Sequence, residues 1–243
     1  MPLRSGRRRG CGITDLERGN PRRFAFGPSG FWFRLDRSAV VVTGAVASCN
    51  DLSGSGNHTA TQATTTKRAT YQATGIGPKG RADMLFDGVD DQYLFSTLLS
   101  VPGPMSFFTV SNKISLPAGG STLFHSREHA CILWLTGVDF FSTYLNVVVS
   151  HSLPVPATMA VLDIVVRNFN DVDLAVNGNV ANRTSGVGYV ARTGVAGFGA
   201  DQSGVQWSNA RVAEVIFLGN TQSKTAVSRI RRYLKAWHGI ALV

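Results

Sequence analysis

From Phe31 onward the chain is a succession of short runs rich in β-branched and aromatic residues, each broken by Gly, Pro, Asn or Asp. The runs are Phe31 to Leu35, Val40 to Thr43, Met84 to Phe86, Tyr93 to Phe95, Met105 to Asn112, Thr122 to His125, Cys131 to Thr136, Tyr144 to Ser150, Met159 to Arg167, Val172 to Val176 and Arg211 to Leu218. Such residues fit a pleated, half-buried surface, and most of these runs show either alternation with a period of two or β-branched and aromatic enrichment. Consecutive strands with no helices between them are joined antiparallel, because parallel neighbours need long crossovers. The expected fold is an all-β sandwich.

The punctuation carries the same message. Asn177-Gly178 is a two-residue hairpin signal, since a type I′ turn needs positive φ at both central positions. Asp87-Gly88 reads as a tight turn between the strands ending at Phe86 and beginning at Tyr93. Between Cys49 and Thr66 the chain is crowded with Gly, Ser, Asn and Thr, which suits an ordered loop. One helix is expected, over 223–238: Ser223 can cap it, Val227, Ile230, Leu234 and Trp237 recur on one face with Tyr233 beside them, and Gly239 ends it.

Several of these pieces resemble the laminin-G-like, concanavalin A-like jelly rolls that recur in tailed-bacteriophage structural and tail proteins. They are Phe31-Trp32-Phe33-Arg34-Leu35-Asp36, the Asp51 to His58 loop, Ala69-Thr70-Tyr71, Phe86-Asp87-Gly88-Val89-Asp90-Asp91, Leu174-Ala175-Val176-Asn177-Gly178, and Ala213-Glu214-Val215-Ile216 with its following helix. Cys49-Asn50 stand where that family usually has Trp. The resemblance implies an antiparallel jelly-roll sandwich over 29–243 that includes the helix. Function is less constrained, because this sandwich carries lectins, hydrolases and structural parts alike.

Charge divides the chain unevenly. Of the net +9, residues 1–23 hold +5 and residues 224–235 another +5, which leaves the body near −1. A pI near 10 is therefore no sign of a whole-surface nucleic-acid binder. Residues 1–28 have little apolar pattern and read as an extended basic arm. Its expected role is assembly: Arg7, Arg8, Arg9, Arg22 and Arg23 pairing with acidic protein surface, Phe24 and Phe26 laid into a neighbour's groove, and nucleic acid not expected as the partner. No apolar run approaches the ~18 residues that cross a bilayer, and no apolar segment follows the basic N-terminus as a secretory signal requires. Three widely spaced cysteines, Cys11, Cys49 and Cys131, suit buried thiols better than disulfides or zinc.

Most apparent catalytic motifs lack their context. His125-Ser-Arg-Glu128-His129 has inverted zinc-protease spacing, but strand-like runs flank it where the chemistry needs a helix. Gly75-Ile-Gly77-Pro-Lys-Gly80 has dinucleotide spacing without a helix to follow. Jelly-roll glycosidases cleave with paired carboxylates on alternate residues of one strand; the three Glu here, at 17, 128 and 214, are far apart and none is followed by an acid two residues later, while Asp171 and Asp173 do have the spacing. Asp87, Asp90, Asp91 and Asn57 offer hard oxygen ligands for Ca²⁺, the sole cofactor considered. Trp207 with Asp201, Gln206 and Asn209 is the likeliest sugar-binding set, an aromatic platform beside amides and a carboxylate.

These readings lead to three ordered expectations. First is a non-enzymatic virion component of a tailed phage, anchored by its arm to other virion proteins, oligomeric in the particle and made in the host cytoplasm. Second is a host-adhesion module that binds surface glycan. A glycoside hydrolase or lyase comes third, for want of carboxylates.

Overall fold

The computed structural model describes residues 26, 29–54, 58–101, 104–115, 121–126, 129–134, 140–144, 148–154, 157–168, 170–183, 192–200, 204 and 207–242. All its strand pairings are antiparallel, and they form two layers. In the first, β16 (Asn179–Arg183), β15 (Asp171–Val176), β14 (Ala160–Asn168), β9 (Met105–Ser115) and β19 (Asn209–Leu218) lie side by side. The far edge of β19 is shared by β6 (Asp83–Asp87) and β1 (Phe31–Arg34). The second layer runs β2 (Ala39–Val42), β3 (Ala45–Cys49), β4 (Ala60–Thr61), β7 (Tyr93–Phe95), β18 (Ala196–Phe198), β10 (Ser121–Ser126), β11 (His129–Trp134), β12 (Phe140–Tyr144) and β13 (Val148–Pro154). At one corner β5 (Thr70–Gln72) pairs with both β3 and β6. Outside the layers β8 (Leu99–Val101) and β17 (Arg192–Gly194) form a separate ribbon. The expected sandwich is observed.

Several details differ from the sequence reading: β3, β4, β5, β8, β17 and β18 lie outside the expected runs, and β4 falls within the stretch read as a loop. The run from Tyr144 to Ser150 is two strands, with Tyr144 opposite Val148 across a hairpin; three consecutive valines hid the break. The Asp87-Gly88 turn does not join partners either. β6 pairs within the first layer and β7 within the second, so this turn carries the chain from one layer to the other. Asn177 and Gly178 do take positive φ, 51° and 86°, and close the β15–β16 hairpin.

β9, β14 and β19 of the first layer are buried on both faces over most of their length, which is why they read as near-continuous apolar runs. Inward, Phe31, Phe33, Phe95, Phe107, Phe124, Phe198 and Phe217 meet with ring centroids 4.9–6.5 Å apart. Outward, Trp32, Phe108, Val110, Val161, Val165 and Ile216 lie beneath the C-terminal helix and Phe26. Tyr93 ties β3 and the residue before β5 to the core: its hydroxyl donates to Val46 O at 2.6 Å and accepts from Ala69 N at 2.9 Å. Cys49 is buried, and burial pushes its thiol up to about 12.

A helical turn, α1 (Leu35–Ser38), follows β1, and the long helix α2 (Lys224–His238) closes the fold. Ser223 Oγ accepts from Ala226 N, and Gly239 ends the helix in the left-handed region, as the sequence predicts. Val227, Ile230, Tyr233, Leu234 and His238 are its buried residues. Trp237 is only half-buried, stacked between the guanidinium groups of Arg34 and Arg81 at 4.2 and 4.1 Å. Lys79 and Arg81 donate to Ala236 O and Trp237 O, so cations meet the negative end of the helix. None of the described helices is long and apolar enough to cross a membrane.

Candidate functional site

Where the chain passes from β6 to β7, three carboxylates converge. Ligand oxygens of Asp87, Asp90 and Asp91 all lie within 4.8 Å of one another. Asp87 Oδ1 accepts from Val89 N at 2.8 Å, and Asp91 Oδ2 accepts from Asp87 N at 2.9 Å, so the turn is bound by its own side chains. Asp91 is 5% exposed, and its carboxyl is pushed up to about 6 by burial, with the charges of Asp87 and Asp90 adding to the effect.

The segment that carries Trp207 lies against this turn. Asn209 stands opposite Asp87 in the β19–β6 register. Ser208 N donates to Gly199 O at 2.7 Å, and Gly199 sits so close to the turn that an ideal Cβ there would be 2.3 Å from Asp91 O. Ser208 Oγ donates to Thr122 O, and Asn209 Nδ2 to Ser115 Oγ, which fixes the segment on either side of the sandwich. Trp207 is half-buried, its indole beside Gly204. The described members of the two sets, Asp87, Asp90 and Asp91 on one side and Trp207 and Asn209 on the other, thus lie on neighbouring segments at one end of the sandwich. Asn57, Asp201 and Gln206 lie outside the described residues, as do Arg7, Arg8, Arg9, Arg22, Arg23 and Phe24. Phe26 is 6% exposed and packs in the layer beneath α2. Asp87, Asp90 and Asp91 are the described residues that could hold a cation.

A prediction follows from Asp91. Its folded pKa lies above the usual carboxylate value near 3.9, so the folded state holds the proton more tightly and stability falls as pH rises from about 4 to about 6. Asp91→Asn keeps an acceptor for Asp87 N and removes the buried charge. It is expected to raise stability at pH 7 by about 1–2 kcal/mol and to flatten the profile between pH 4 and 6. Urea unfolding at several pH values checks this; an unchanged slope in the variant would show that the penalty lies elsewhere.

The remaining motifs are structural. His125 and His129 lie on the two strands of the β10–β11 hairpin, with His125 Nδ1 2.6 Å from Ala200 O, so the zinc-protease spacing has no helix beneath it. The Gly75 to Gly80 loop leads into β6 and caps α2. Arg167 bonds Asp171 at 3.2 Å and also Asp173, so an ion pair occupies both.

Sequence reasoning missed Glu214. It is fully buried on β19 and is reached by three side chains: Trp32 Nε1 and Tyr233 O–H donate to Oε1 at 2.7 and 2.9 Å, and His238 Nε2 lies 2.8 Å from Oε2. Burial and the nearby carboxylate push the Tyr233 phenol up. The available signal was an acid within the otherwise apolar run Val212 to Leu218.

No protein-family model matches the chain, and no curated protein sequence does. Solved structures do match. Domain 4 of AbnA, a GH43 extracellular arabinanase from Geobacillus stearothermophilus, in complex with arabinotriose, aligns over 83% of this chain and 97% of its own at 14% identity and TM-score 0.57. A GH54 α-L-arabinofuranosidase aligns over 80% of this chain and 51% of its own at 11% identity and TM-score 0.61. Trypanosoma rangeli sialidase in complex with sialic acid aligns over 83% and 32%, at 9% identity and TM-score 0.54. The likeness is one of fold. This chain spans about a third of the sialidase and half of the arabinofuranosidase.

The comparison corrects the functional expectation. The sandwich is shared with glycoside hydrolases and a domain of one, the class that the sequence placed last, and none of the structures named is a phage protein. The expectation of a non-enzymatic virion component falls with it, and so does the expectation that the chain is not an enzyme. The first rested on the N-terminal arm and on a resemblance in turn and strand wording that many jelly rolls share, the second on a carboxylate count that strand spacing alone cannot turn into a site.

Proposed function

We propose that this chain is a glycan-binding sandwich of glycoside-hydrolase type, taking arabinose-containing oligosaccharide at the end where Trp207 meets the Asp87 to Asp91 turn. The observation that carries the reading is the near-complete overlap with the arabinanase domain in complex with arabinotriose, 97% of which this chain covers. The site supports it with a half-buried indole, Asn209 two residues further along the same segment, and the carboxylate turn whose Asp87 stands opposite Asn209 in the sheet. Aromatic rings stack on the apolar faces of sugars, while amides and carboxylates fix their hydroxyls. In this reading Asp87, Asp90 and Asp91 hold Ca²⁺, whose charge would offset the burial penalty on Asp91.

Calorimetric titration with arabinotriose, with and without Ca²⁺, tests the proposal, and reducing-end release is measured in the same samples. Trp207→Ala is expected to weaken binding about tenfold, a loss of about 1.4 kcal/mol, without lowering the melting temperature. Release of reducing ends would show that the chain itself hydrolyses its ligand. Absent binding, or binding indifferent to Trp207→Ala, would overturn the assignment. If Asp91→Asn stabilises the protein equally with and without Ca²⁺, the cation has no place in the site.

A further inference from the structure

Beyond the Ser223 cap, the exposed residues of α2 are Lys224, Thr225, Ser228, Arg229, Arg232 and Lys235. Every one can donate a hydrogen bond, and α2 has no acid at all. Docking does not need these cations: Val227, Ile230, Tyr233, Leu234 and His238 bury the other side. The fifth cation, Arg231, is taken by Asp163, whose two oxygens accept from Nε and Nη2 at 2.9 and 2.7 Å. Among the described residues no carboxylate pairs with Lys224, Arg229, Arg232 or Lys235. Arg229 faces Arg232 and Arg232 faces Lys235 at i, i+3, Arg231 faces Lys235 at i, i+4, and Lys224 stands at the positive end of the helix dipole. These like-charge contacts oppose the helix, offset among the described residues only by Asp163 at Arg231 and by the place of Lys235 in the last turn, where the dipole favours a cation.

We propose that this face of α2 is a second ligand surface, which holds a linear carboxylate- or sulfate-bearing polysaccharide along the helix. Arg229, Arg232 and Lys235 are spaced about 4.5 Å apart along the axis, and the stripe from Lys224 to Lys235 is about 16 Å long, a rigid row of cations on an otherwise near-neutral body. Other polyanions fit less well. A membrane-surface helix turns its apolar face outward, and here that face is spent on the sheet. Single-stranded nucleic acid needs aromatic platforms, but this face has none, and Trp237 is held between two guanidinium groups. The choice of a glycan as the polyanion rests on the proposed function; the unpaired stripe does not.

The test titrates the full chain with a heparin oligosaccharide and a polygalacturonate oligomer, beside arabinotriose and duplex DNA, at two salt concentrations. Arg229→Gln/Arg232→Gln/Lys235→Gln is expected to cut affinity for both acidic glycans about tenfold or more and to flatten the salt dependence, with arabinotriose binding and melting temperature kept. Arg7→Gln/Arg8→Gln/Arg9→Gln is expected to stay within about twofold of the parent, which separates the helix from the basic N-terminus. The proposal is overturned if the helix variant binds acidic glycan as the parent does, if the loss is confined to the N-terminal variant, or if duplex DNA binds more tightly than either glycan at equal salt. A parent chain that ignores arabinotriose yet binds acidic glycan through α2 would strike the proposed function and leave this surface standing.

Discussion

Glu214→Ala is expected to destabilise the fold by about 3–5 kcal/mol, the range seen when one partner of a buried charged network is removed. The carboxylate is fully buried and joins β1 through Trp32 to α2 through Tyr233 and His238. Its loss leaves three polar groups without their acceptor under a helix that shuts out water. Glu214→Gln separates charge from shape. The amide oxygen still accepts from Trp32 and Tyr233, and the amide nitrogen can donate to a neutral His238, so the cost should fall to about 1–2 kcal/mol. Urea unfolding of both variants gives the comparison. Losses under about 1 kcal/mol for the alanine variant would mean that the helix is held by its apolar contacts alone.

Gly199→Val should cost as much, for a different reason. Gly199 has φ of 89°, a region costing an L residue about 1–2 kcal/mol and β-branched residues more. An ideal Cβ would also lie 2.3 Å from Asp91 O and 2.6 Å from Phe86 Cε1, so the β18–β19 connection and the acidic turn must part. Overpacking of that kind adds about 1–3 kcal/mol, for a total of about 3–5. Because Gly199 holds the turn and Ser208 together, the variant should also weaken arabinotriose binding more than Trp207→Ala does. A Gly199→Val protein of parental stability would show that the turn and the Trp207 segment are not locked to each other.

The elements were legible because their signals are local. Alternation or β-branched and aromatic enrichment marked the longer strands, Ser223 and Gly239 bracketed α2, and Asn177-Gly178 named its own turn. The site was not. Trp207 and Asp87 are brought together by the β19–β6 register and by the approach of Gly199 to Asp91, pairings between distant segments that no spacing encodes. The Glu214 node likewise draws on β1, β19 and α2. Trp237 misled for a subtler reason: counting turns from Ile230 puts it on the buried stripe, but the stripe drifts, and His238 takes the inner position while the indole slides between Arg34 and Arg81.

β19 is the last of the described strands in chain order, and it is the partner of β1, β6 and β9. Phe31 and Phe217 face each other across nearly the whole chain. At synthesis rates of about 5–20 residues per second, β1 waits on the order of 10–40 s for its neighbour to exist, with Phe31 and Phe33 uncovered throughout. The first layer cannot close in stages from the N-terminus. Closure of the first layer therefore waits for β19, set by chaperone cover during that interval and by slow long-range pairing afterwards. A stalled or truncated product that lacks β19 would present three open strand edges at once.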